Sequence, residues 1–114
     1  MDLSLGSRTE GGWTVVDVKG EVDLFTAPKL REHIVGLVED DERRIIVNLE
    51  DVEFMDSTGL GVLVGALKRL KEKDGHLALV CPQGSVLRVL TVTGLNKVFA
   101  IYASVEEATT ADVG

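Results

Sequence analysis

Ile45-Ile46-Val47 is an unbroken apolar run inside "RRIIVNLE", with arginines before it and a glutamate after it. A strand with one face in water alternates apolar and polar residues. A continuous branched run instead reads as a central strand covered on both faces. Amphipathic helices must supply that cover, and the flanking sequence contains them. Leu30, Ile34, Leu37 and Val38 recur at helical spacing before the run, with Thr26 as a candidate N-cap and Pro28 in the first turn. Leu60, Leu63, Val64, Leu67 and Leu70 recur at helical spacing after it, with Gly75 as a candidate C′ residue.

The remaining segments extend this order. "LSLGSRT" (Leu3–Thr9) and "WTVVDVKG" (Trp13–Gly20) read as strands around a Glu10-Gly11-Gly12 turn. So short a link permits only an antiparallel hairpin. "HLALVC" (His76–Cys81) is a further strand. Ser85 can cap a helix that Gly94 closes, "KVFAIY" (Lys97–Tyr102) is a last strand, and Ser104 with Glu107 forms a capping-box pattern. The order β-β-α-β-α-β-α-β-α predicts an α/β fold. It has a mixed, mainly parallel sheet of about five strands, an N-terminal antiparallel hairpin and about four helices. At 114 residues the chain is expected to be one domain, residues 1–114.

Composition narrows the function. The formal charge of −7 works against nucleic acid and anionic membrane surfaces, and favours a faster encounter with a basic protein surface. The same charge also serves plain solubility. Cys81 is the single cysteine, so no intrachain disulfide forms. No signal sequence and no membrane-length apolar run is evident. A soluble, cytoplasmic, monomeric protein is expected.

"FMDSTGLGVLVGALKRL" (Phe54–Leu70) is the anomalous stretch. Helical glycine costs roughly 0.8–1 kcal/mol relative to alanine, yet Gly59, Gly61 and Gly65 all fall at the start of this helix. The outer face of its first half carries Gly61, Val62, Gly65 and Ala66 where charges are expected. Two explanations stand. The glycines allow close packing inside the domain, or they present a smooth, uncharged patch to another protein. Asp56 is placed to cap the helix, with Ser57 and Thr58 in the first turn. The hydroxyls either serve the cap or offer a phosphoryl acceptor. A phosphate there would carry about −1.5 to −2 charge, tolerable at a helix N-terminus but not beneath a docked partner.

The stretch "FMDSTGLGVLVGALKRLK" resembles the signature of bacterial anti-sigma factor antagonists of the STAS-domain family, in its actinobacterial type. "VVDVKGEVDLFTAPKLRE", "IIVNLEDVEFMDSTGLG" and "VLTVTGLNKVFAIYASVEEA" resemble other family segments, so nearly the whole chain is covered. The resemblance implies that the unphosphorylated protein binds an anti-sigma factor that is also a serine kinase, freeing a sigma factor for transcription. The kinase, using ATP and magnesium, would phosphorylate Ser57, and a metal-dependent serine phosphatase would reverse this. Asp56 matches the acid before the acceptor, and Thr58 a position that is Ser or Thr. Gly59, Leu60 and Gly61 match the "GLG" that opens the helix. Asp23 matches the acid of a "GE-hydrophobic-D" segment that the fold would bring near the serine. On the reading of the patch as a docking surface, Val62 and Gly65 would extend the partner-binding face.

The resemblance implies a binding module and substrate rather than a catalyst, with no cofactor of its own. The residues agree. His33 and His76 are the only histidines, no nucleophile elbow or phosphate-binding loop is present, and no metal-ligand cluster is evident. A ligand-sensing or scaffold module of the same fold is the alternative.

Overall fold

The computed structural model describes residues 2–111. Strands β1 (Leu3–Glu10), β2 (Trp13–Val22), β3 (Arg44–Met55), β4 (His76–Val80) and β5 (Ala100–Tyr102) lie in that spatial order in one sheet. The β1–β2 pair is antiparallel, and β2–β3, β3–β4 and β4–β5 are parallel. Helices α1 (Ala27–Glu39), α2 (Ser57–Glu72), α3 (Ser85–Val92) and α4 (Val105–Thr110) follow β2, β3, β4 and β5. The expected architecture is therefore present.

Ile45, Ile46 and Val47 are fully buried, and they divide between two cores. Ile45 and Val47 join Leu30, Ile34, Leu63 and Leu70 beneath α1 and α2. Ile46 points the other way and joins Trp13, Val15, Val80, Val105 and Ala108, where α4 provides the cover. The guanidinium of Arg44 lies 4.6 Å from the Trp13 ring centroid, closing the edge of this smaller core by a cation–π contact.

Several local expectations are corrected. The strand read in "RRIIVNLE" does not give way to a loop after Glu50, because β3 runs on to Met55. Its second half pairs with the second half of β2 across a register shift, as Gly20 to Val52 and Val22 to Met55. Thr26 precedes α1 but makes no side-chain cap bond. The N-cap of α3 is Gly84, and Ser85 is the first helical residue, its hydroxyl donating to the Glu53 carbonyl at 3.1 Å. Leu95–Lys97 form a 3-10 turn, so β5 starts only at Ala100. Asp74, not Gly75, takes the left-handed C′ conformation, with φ of 59°. Gly75 N–H donates to Leu70 O at 2.6 Å and Asp74 N–H to Lys71 O at 3.2 Å, the pairing of a Schellman motif. Glycine is needed at 75 for space, since a Cβ there would lie 2.6 Å from Arg43 O.

Candidate functional site

Ser57 stands at the carboxyl end of the parallel sheet, where β3 passes into α2. Asp56 N–H donates to Val22 O at 3.1 Å, so the ends of β2 and β3 are tied together there. Asp56 is the N-cap of α2. Its Oδ1 accepts from Thr58 N–H at 2.9 Å and Gly59 N–H at 3.3 Å, and also from the Thr58 hydroxyl. The Thr58 hydroxyl, followed by the N–H groups of Gly59, Thr58 and Leu24, holds the Asp56 carboxyl below the usual carboxylate range, against partial desolvation.

The two hydroxyls therefore differ. Thr58 is half-buried and its hydroxyl is committed to the cap. Ser57 is exposed, and among the described residues its hydroxyl makes no hydrogen bond. One acid and one threonine complete the cap, and the serine is left over.

The three glycines also differ. Gly59 is buried, and a Cβ on it would lie 2.6 Å from Met55 Cγ and 2.7 Å from Val22 Cγ1. Its lack of a side chain is an internal packing requirement. Gly61 and Gly65 have nothing within 4 Å of a Cβ built on them. Packing within the domain does not require glycine at either position. Both open onto a groove of about 330 Å³ between α1 and α2, which Val62 also lines. Ala66, expected on the outer face with them, is buried at the base of that groove. It faces inward because α1 packs against α2. Leu60 is half-buried and packs against the main core.

Asp23 lies beside the site in the β2–α1 turn, but its side chain serves the turn. Its Oδ1 accepts from Phe25 N–H at 2.9 Å and Thr26 N–H at 3.0 Å. The Thr26 hydroxyl donates to Glu21 O at 2.8 Å and accepts from Asp23 N–H at 2.9 Å. This fastened turn presents Leu24 and Phe25, 63% and 86% exposed, next to the Asp56 cap. Sequence reasoning missed this pair. The available signal was two bulky apolar residues in a turn flanked by Asp23 and Thr26, outside any helical or strand period. Exposed aromatic and aliphatic side chains beside an uncharged helix face are suited to a protein contact.

Among the described residues no group of histidine, cysteine and carboxylate side chains could hold a metal ion, and no helix is long and apolar enough to cross a membrane. His33 accepts or donates a 2.9 Å hydrogen bond with the Ser7 hydroxyl, bridging α1 to β1. Cys81 is buried, and burial pushes its thiol pKa up.

Comparison with known proteins places the chain in a family. The STAS domain family model matches residues 6–108. An anti-sigma-B factor antagonist of Staphylococcus aureus is 37% identical over 106 residues, covering 93% of this chain and 98% of that one. The structure of an anti-sigma factor antagonist from Mycobacterium paratuberculosis superposes with a TM-score of 0.88 at 31% identity, covering 96% and 92% of the two chains. The Bacillus cell fate determinant SpoIIAA, in its phosphorylated form, superposes with a TM-score of 0.71 at 27% identity, covering 94% and 96%. With its fold and nearly all of its length shared with these proteins, the chain belongs to the STAS-domain family.

Proposed function

We propose that this protein is an anti-sigma factor antagonist whose docking face is switched by phosphorylation of Ser57. In the unphosphorylated state Ser57, Gly61, Val62 and Gly65, with Asp23, Asp56, Thr58, Gly59 and Leu60 shaping the helix entry, receive an anti-sigma factor with serine kinase activity. A sigma factor is thereby released in the cytoplasm. A metal-dependent serine phosphatase restores the modified form.

The observation that carries this reading is the division of labour at the start of α2. Thr58 is spent on the Asp56 cap, while Ser57 is exposed with an uncommitted hydroxyl beside open glycines. A phosphoryl group on Ser57 would add about −1.5 to −2 charge at pH 7. The backbone N–H groups of the first turn and solvent can accommodate it while the face is open. A docked partner would have to bury it next to Asp56, paying desolvation and like-charge repulsion together. The names of the relatives support the same reading: antagonists of anti-sigma factors, one of them in a phosphorylated form.

The test is phosphotransfer. Incubation with a candidate anti-sigma kinase and ATP should raise the intact mass by one phosphoryl group, and Ser57→Ala should abolish the rise. Modification that persists in Ser57→Ala would move the acceptor elsewhere and defeat the assignment.

A further inference from the structure

The α1–α2 groove carries a charge arrangement that docking on the glycine face does not account for. Its volume, about 330 Å³, lies in the range of small-molecule sites, which are mostly apolar with a few placed polar groups. Buried Ile34 and Ala66 lie at its base, and Val35 and Val62 line it from opposite helices. Its charged lining consists of Arg31 and Arg69, with no carboxylate. Arg8 and Arg43 form ion pairs. Arg31 and Arg69 form none among the described residues, in a chain whose net charge is −7. An acid-free apolar groove with two unpaired guanidinium groups is complementary to an amphiphilic anion. Helix α1 contributes only the single turn from Arg31 to Val35, which gives a short concavity rather than a track for a partner helix.

We propose that this groove, where Arg69 stands unpaired beside Val35, Val62 and Ala66, binds a free single-chain carboxylate amphiphile. The head sits on Arg69, because the groove ends on the other side at Thr58, which is bonded to the Asp56 carboxylate, and that carboxylate repels an anion there. The alkyl chain lies over Gly65 and Gly61, where the surface is open, and against the aliphatic stem of Arg31. A chain in this position covers part of the face assigned to the anti-sigma factor, so such a ligand competes with the partner. The site itself exists whether or not Ser57 is phosphorylated.

Laurate, kept free of micelles, is the probe, and the readout is the backbone amide signals of the purified full chain. Saturable shifts at Gly61 and Gly65 are expected. Affinity should fall about tenfold in Arg69→Glu, and clearly in the milder Arg69→Gln. Lys68→Glu, the same charge change outside the groove lining, should leave it unchanged. Dodecyltrimethylammonium, with a cationic head on a chain of the same length, should leave both glycines unshifted. Circular dichroism checks the fold of each variant. The proposal is overturned by no shift with laurate, by Arg69 variants that bind laurate as tightly as the parent chain does, or by an equal response to the cationic amphiphile. A response only to vesicles of anionic phospholipid would transfer the site to a membrane surface and overturn it too.

Discussion

Thr58 donates both its backbone N–H and its hydroxyl to the carboxylate of Asp56. This doubly bonded pair closes the start of α2 without Ser57. The consequence is an asymmetry between adjacent hydroxyls that neither composition nor helix periodicity distinguishes.

The first prediction concerns binding. Ser57→Ala is expected to hold the anti-sigma factor constitutively, and Ser57→Asp to bind it at least tenfold more weakly. A hundredfold loss requires only about 2.8 kcal/mol. Calorimetric titration of the two variants against the same anti-sigma factor decides this, and equal affinity would remove the electrostatic basis of the switch.

The glycines of α2 should separate into two classes by stability. Gly59→Ala forces a Cβ into Met55 and Val22 and is expected to destabilise by about 1–3 kcal/mol, as overpacking does. Gly61→Ala and Gly65→Ala meet open space and are expected to stabilise by about 0.4–1 kcal/mol. Urea unfolding measures all three. Gly61→Glu and Gly65→Glu should still fold and should lose partner affinity. If they bind normally, the open glycines have no part in docking.

The α2 exit offers a second stability test. Gly75→Ala places a Cβ against Arg43 O and Leu70 and should lower the melting temperature. Asp74→Gly relieves a left-handed backbone at a non-glycine residue and should leave the melting temperature unchanged or raise it, through a stability gain of up to about 1 kcal/mol. The opposite ranking would assign the C′ role to Gly75.

The Asp56 cap predicts a pH dependence. Its carboxyl pKa is lowered in the folded state, chiefly by the Thr58 hydroxyl. The unfolded state therefore takes up the proton first. The cap's stabilisation is complete above the ordinary carboxylate pKa of about 3.9 and is lost as pH falls through the lower folded value. Asp56→Asn keeps a capping oxygen but cannot titrate. Its acid unfolding profile should lack this component, and a profile identical to the parent's would show that the cap does not titrate as described.

Cys81 should behave as a core residue. Buried at the end of β4 with its thiolate disfavoured, it should react with a thiol reagent only as fast as the chain unfolds. Rapid labelling under native conditions would show that the strand end opens.

Much of the fold was legible because its determinants are local. The Ile45–Val47 run demanded cover on two faces, the Gly11-Gly12 turn demanded an antiparallel hairpin, and the α2 leucines declared a helix. The extension of β3 to Met55 was not legible, because "DVEFM" becomes strand only through pairing with Lys19 to Val22 on another segment. Ser85 matched a capping preference, yet the backbone places Gly84 at the cap and gives Ser85 a carbonyl on β3.

At the site, residue types and spacing alone identified Asp56 as a cap, flagged Ser57 and Thr58 as its companions, and marked three costly glycines. They could not rank the hydroxyls or divide the glycines, because both depend on distances between segments far apart in sequence. Thr58 folds back onto Asp56, Val22 and Met55 fill the space beside Gly59, and α1 leaves Gly61 and Gly65 uncovered. Asp23 likewise turned out to fasten its own turn and expose Phe25. The linear order determined which chemistry this protein carries. Packing between segments decided which of those groups remain free to use it, since a side chain's availability is set by its neighbours in space.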